Sequence, residues 1–115
     1  MLDFEKRLSG DVLIEKVNLL RATIVEASIM KKKLFEDIQL SNKKIIVDIS
    51  VCDFIDSTFL GALVISLKRT RETGGDIKLV ITSTSFAEGI VDNSGILRIF
   101  EIYTSAKDAL KSYEL

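Results

Sequence analysis

The sequence contains no histidine, no proline and no tryptophan, and has a single cysteine, Cys52, among its 115 residues. Without histidine, the Ser-His-Asp and Cys-His nucleophile systems and imidazole general-base chemistry are excluded. The usual Cys/His zinc sites go with them, and one cysteine forms no internal disulfide. Cys52 reads as an inert, mostly buried small side chain. No segment is rich in proline or low in complexity, and no internal repeat is visible, so the chain reads as continuous alternation of structural elements.

Charge of one sign is also missing. Lys and Arg number 16 and Asp and Glu 17, for a net charge of −1, which leaves no global field to draw in nucleic acid or anionic lipid. The run Lys31-Lys32-Lys33 is a solvated helix face on this reading. The longest nearly apolar stretch, residues 59–67, contains Gly61 and Ser66 and falls far short of the roughly 20 residues that cross a bilayer, so no membrane insertion is expected. Asp3, Glu5, Lys6 and Arg7 stand where a secretory signal would place a basic tip and an apolar run, and a cytoplasmic location is the expectation.

What is present suits a globular fold: 47% apolar and 29% charged residues can fill a core and solvate a surface, and 115 residues fit a single domain spanning 1–115. Residues 2–8 and 12–17 read as strands joined by the turn Ser9-Gly10-Asp11, an opening hairpin. Leu20, Ile24, Ala27, Leu34 and Ile38 then recur at helical spacing, predicting a first helix over residues 20–39 with these side chains inward. Residues 43–49 form a β-branched run apolar enough for a central strand buried on both faces. A second helix starts near Ser57 and stops at Gly74-Gly75, and residues 77–81 make the next strand. A short helix over residues 85–93, a strand near 98–103 and a last helix over 105–113 complete an α/β fold with a mixed sheet and about four packed helices.

The informative stretch is residues 53–61, Asp-Phe-Ile-Asp-Ser-Thr-Phe-Leu-Gly, which leaves a central strand and enters a helix, the place where α/β sheets form binding sites. Asp56 and Ser57 there are natural helix caps, and on the residues alone capping is a sufficient account. In the helix that follows, Leu60, Leu63, Val64 and Leu67 share one face, which would leave Thr58, Ala62, Ile65 and Arg69 on the other as a docking surface. Gly61 inside a helix costs about 1 kcal/mol relative to alanine, and either a partner's backbone or this chain's own sheet coming close would account for it. Asp48, Asp53 and Asp56 do not read as a magnesium site, because no Gly-x-x-x-x-Gly-Lys-[Ser/Thr] segment accompanies them. No cofactor, metal or enzymatic turnover is expected.

Val47-Asp48-Ile49, Phe54-Ile55, then Asp56-Ser57-Thr58-Phe59-Leu60-Gly61, a helix and Gly74-Gly75 resemble the STAS domain of bacterial anti-sigma factor antagonists. Ser94-Gly95-Ile96, Ile99-Phe100 and the helix near residues 106–110 extend the resemblance over essentially the whole chain. It implies a STAS-type fold and a phosphoprotein of transcription regulation that acts by protein–protein interaction. Unphosphorylated, it would bind an anti-sigma factor serine kinase of the GHKL type and release the sigma factor. Phosphorylation at Ser57 would switch binding off, and a PP2C-type phosphatase would restore it. Asp56 and Thr58 would flank the phosphosite, and Gly61, Ala62 and Ile65 would lie on the docking face. Asn18 stands where many members carry aspartate beside the phosphosite, and Phe59 where many carry glycine. The same resemblance leaves open a scaffold subunit of a stress-sensing assembly or a cytoplasmic component of a lipid transporter.

Overall fold

The opening hairpin forms as its residues dictate. In the computed structural model, which describes residues 2–81 and 98–114, β1 (Phe4–Ser9) and β2 (Val12–Val17) pair antiparallel, with Ser9 facing Val12 and Gly10 in the left-handed conformation at φ 61°. A two-residue strand β3 (Arg21–Ala22) follows, then helix α1 (Ile24–Gln39), strand β4 (Lys44–Asp48), a second two-residue strand β5 (Phe54–Ile55) and helix α2 (Ser57–Glu72). Strand β6 (Asp76–Val80), strand β7 (Ile102–Tyr103) and helix α3 (Ala106–Tyr113) end the described chain. The helix expected over residues 85–93 and the Ser94-Gly95-Ile96 segment lie outside the described residues; three helices lie within them.

The main sheet has the order β1-β2-β4-β6-β7, with β2, β4, β6 and β7 mutually parallel and β1 antiparallel at the edge, a mixed sheet as expected. β4 is central and Ile45, Ile46 and Val47 are buried, because alternate side chains enter two different cores. Ile45, Val47 and Ile49 meet α1 and α2 on one side, and Ile46 joins Val12, Ile14, Val80 and Ala109 under α3 on the other. Lys78 belongs to the α3 side and is buried there, its ammonium donating to the Ser112 hydroxyl at 2.7 Å and lying 4.1 Å from the Tyr113 ring.

Three expectations need correction. α1 begins at Ile24, not at residue 20, because Thr23 and Glu26 form a capping box there: the Thr23 hydroxyl accepts the Val25 N–H and Glu26 Oε1 accepts the Thr23 N–H at 3.1 Å. Leu20 and Ile24, assigned to the core by spacing, are 65% and 66% exposed. The last strand is two residues long, because only Leu79 and Val80 of β6 offer it partners. α2 buries more than one stripe: Ala62, expected on the outer side, is only 6% exposed and packs in the core with Phe59, Leu60, Leu63 and Leu67. The reason is that α2 lies against both the sheet and α1, so its inward arc is wider than a surface helix needs. The two hydroxyls caught in that arc are satisfied within the helix, Ser66 donating to the Ala62 carbonyl at 2.8 Å and Thr70 to the Ser66 carbonyl at 2.7 Å.

Candidate functional site

Asp48 ends β4 and its Oδ1 accepts the N–H of Ser50 at 3.0 Å, which turns the chain out of the sheet. Cys52 follows, buried; burial first, then the neighbouring carboxylates of Asp48 and Asp53, push its thiol up to about 11, so it stays protonated and unreactive near neutral pH. From Asp53 onward the loop is fastened to the entrance of α1. The N–H groups of Asp53 and Phe54 both donate to the Leu20 carbonyl, at 2.8 and 3.2 Å, and β5 runs parallel to β3 with Arg21 facing Phe54 and Ala22 facing Ile55. The Arg21 guanidinium stacks 4.1 Å above the Phe54 ring.

This small ribbon delivers Asp56 between two helix N-termini. Asp56 Oδ1 accepts the Phe59 N–H at 2.8 Å and caps α2, and Asp56 Oδ2 accepts the Ile24 N–H at 2.8 Å, in the first turn of α1. One carboxylate thus serves the positive ends of two helices. Of the two capping candidates in the sequence, Asp56 is the N-cap and Ser57 is the first residue of α2. Both Asp56 oxygens are engaged inside the fold, which leaves little of this side chain for a partner.

Ser57 and Thr58 are exposed, and the Ser57 hydroxyl has no hydrogen-bond partner among the described residues. Gly61 is half-buried, and a methyl group built on it would meet nothing within 4 Å. Close packing on this chain's own sheet therefore does not account for the glycine. Gly61→Ala is expected to raise the free energy of unfolding by about 0.5–1 kcal/mol through helix propensity alone, measured by urea denaturation; a loss of stability would show a contact that the fold does not display. Ile65 is 46% exposed and Arg69 exposed beside it on the same stripe, its guanidinium 4.9 Å from the Phe35 ring of α1. Asn18 is turned to the start of the chain: its backbone N–H donates to Asp3 at 2.7 Å and its side-chain amide to Leu2 at 3.0 Å.

Of the predicted residues, the fold gathers Asp56, Ser57, Thr58 and Gly61 at the start of α2, extends their surface along the helix through Ile65, and removes Ala62 to the core. Sequence reading missed the apolar side chains on the elements that frame the loop: Leu20, Ile24, Val25, Val51 and Phe54 all expose large apolar surface. The signal for the first three was the Thr23-x-x-Glu26 capping pattern, which starts the helix late enough to leave them outside or on its first turn.

Comparison with known proteins agrees with this architecture. The STAS domain model matches residues 6–109. Among solved structures, a Thermotoga maritima protein provisionally classed as an anti-sigma factor antagonist is 27% identical, with a TM-score of 0.86 over 97% of this chain and 95% of that one. An anti-sigma factor antagonist from Mycobacterium paratuberculosis is 18% identical, with a TM-score of 0.85 over 97% of this chain and 93% of that one. The Bacillus cell fate determinant SpoIIAA in its phosphorylated form is 13% identical, with a TM-score of 0.72 over 96% of this chain and 98% of that one. The last two likenesses speak for the fold. No curated protein matches. Among the described residues no helix is long and apolar enough to cross a membrane. With a sheet of this order, a strand-to-helix loop ending in Asp56-Ser57 and a family match across nearly the whole chain, this protein belongs to the STAS domain family.

Proposed function

We propose that this chain is an anti-sigma factor antagonist: unphosphorylated, it binds an anti-sigma factor serine kinase of the GHKL type and so frees a sigma factor, and phosphorylation of Ser57 ends that binding until a PP2C-type phosphatase reverses it. The observation that carries the reading is the state of Ser57, an exposed hydroxyl at the first position of α2 without a hydrogen-bond partner among the described residues. Support comes from the fold shared with antagonists, one of which, SpoIIAA, exists in a phosphorylated form. The chain acts by binding and has no turnover of its own.

The physical consequence of the modification divides cleanly between fold and interface. A phosphoryl group adds about −1.5 to −2 charges. The Phe59 N–H is taken by the Asp56 carboxylate and the Leu60 N–H by the Asp56 carbonyl, so the N–H groups of Ser57 and Thr58 are the ones left to receive a phosphate oxygen. The fold tolerates the charge. A partner covering Ser57 must instead desolvate it, and the exposed apolar side chains on the neighbouring elements, Leu20, Ile24, Phe54 and Ile65, would make the rest of such a contact apolar. Charge in an otherwise apolar contact weakens it.

The test uses the GHKL-type serine kinase from the same genome. Incubation with ATP is expected to add one phosphate, seen by intact mass, and Ser57→Ala to abolish it while Thr58→Ala does not. By calorimetry the phosphorylated form is expected to bind that kinase about a hundredfold more weakly, roughly 3 kcal/mol, with an unchanged thermal midpoint. Ser57→Asp falls between the two, since one carboxylate carries less charge and fewer acceptor oxygens. Equal affinity of the two forms would overturn the switch even with the phosphate on Ser57.

A further inference from the structure

On the α1 side of the sheet, two carboxylates lie out of solvent. Glu15, in β2, is 1% exposed, and Asp37, near the end of α1, is fully buried. One cation pairs with them: the ammonium of Lys6, on edge strand β1, is 2.6 Å from Asp37 Oδ1 and 3.6 Å from Glu15 Oε2. Lys33 of α1 adds a weaker positive field, and on the β4 side Glu15 faces Val47, which carries no charge. Both Glu15 oxygens and Asp37 Oδ2 lack a hydrogen-bond partner among the described residues.

Two full negative charges in such a place against a single lysine are unfavourable, and three orphaned acceptors compound the cost. One proton removes most of it. Carried by Glu15, it lets the Glu15 hydroxyl donate to Asp37 Oδ2, which occupies two of the three orphaned atoms. The remaining Glu15 oxygen then faces Lys6 Nζ, and the site holds one carboxylate and one ammonium. Charge and hydrogen bonds both close.

We propose that Glu15 and Asp37 hold one proton between them, and that this proton clamps edge strand β1 and helix α1 onto β2, so that the seating of the opening hairpin depends on pH. Burial first, and then the hydrogen bond and charge of Asp37, push the Glu15 carboxyl from its ordinary 4.5 up to about 8. The folded protein therefore keeps a proton that the unfolded chain releases above 4.5. The stabilisation is complete below that value and is lost as pH rises through about 8. Little else titrates in the window: there is no histidine, and the Cys52 thiol stays protonated throughout it.

The experiment has two arms on the full chain. In the first, the side-chain carboxyl carbons are followed by NMR from pH 4 to 9, and the Glu15 resonance is expected to titrate with a midpoint above 6.5. In the second, thermal midpoints of the wild type, Glu15→Gln and the exposed-site control Glu36→Gln are compared between pH 5.5 and 8.5. Wild type and control are expected to lose roughly 5–10 °C across that range, and Glu15→Gln, whose amide donates to Asp37 at every pH, to stay nearly level. The α-amino group titrates in the same range but is common to all three proteins. A Glu15 midpoint below about 5.5, or parallel profiles for wild type and Glu15→Gln, would overturn the proposal. Should Glu15→Gln fail to fold, the NMR titration of the wild type still settles it.

Discussion

Leu63→Glu is expected to leave no cooperative thermal transition, while Ile65→Glu, two residues away on the same helix, keeps the wild-type midpoint within a few degrees. Leu63 has no exposure and sits in the core between α2 and the sheet. Removing its side chain alone costs about 2–5 kcal/mol, and an unpaired carboxylate in its place adds several more. Against a total stability of about 5–15 kcal/mol, that unfolds the protein. Ile65 keeps almost half its surface in water, so its loss costs the fold little. On the proposed reading, Ile65→Glu instead impairs kinase binding, because it plants a charge on the docking stripe. Circular dichroism melts of both variants check the contrast; equal losses would mean that the inward arc of α2 is placed wrongly.

Asp56→Ala is expected to cost about 2–4 kcal/mol in urea denaturation, several times the loss for Ser57→Ala. An ordinary N-cap is worth about 0.5–2 kcal/mol, and Asp56 adds to its cap on α2, where it holds the Phe59 N–H, a second bond from its other oxygen to the Ile24 N–H at the start of α1, the helix capped by Thr23. Its removal strands both N–H groups and withdraws a negative charge from two helix N-termini. Asp56→Asn keeps one acceptor oxygen and should recover only part of the loss. Ser57→Ala removes a hydroxyl that bonds nothing within the described residues and should stay within about 0.5 kcal/mol. A Ser57→Ala loss as large as that of Asp56→Ala would mean that Ser57, too, is a structural residue.

The strands that run through the core were legible because their pattern is intrinsic to them. Lys44–Asp48 is a β-branched run that only a doubly covered strand accommodates, and Gly10 marks the hairpin by needing a left-handed backbone. The start of α1 was blurred because Leu20 and Ile24 fall on the helical spacing by accident, while the residues that set the boundary, Thr23 and Glu26, act through hydrogen bonds that periodicity does not weigh. The ribbon of β3 and β5 was invisible: two residues show no period, and the pairing joins segments more than thirty positions apart. Ala62 was misplaced for a related reason. How much of a helix is covered depends on how many neighbours it has, and the contact of α2 with α1 is a property of the tertiary fold. Asp56 and Ser57 could be located but not told apart, since aspartate and serine are equally good caps until the backbone says which one precedes the first turn.

The double duty of Asp56 bears on how this sequence can change over generations. Stability by itself favours an acceptor with two oxygens at that position, whether or not the chain takes part in signalling. On the proposed reading, the flank of a phosphosite at Ser57 is thus under a structural demand unrelated to any kinase. A descendant could exchange Ser57 for another small residue, abandoning the proposed switch, while keeping its aspartate intact. Retention of the aspartate across relatives would then testify to a shared architecture, and only the residue after it would report whether the regulation had been inherited.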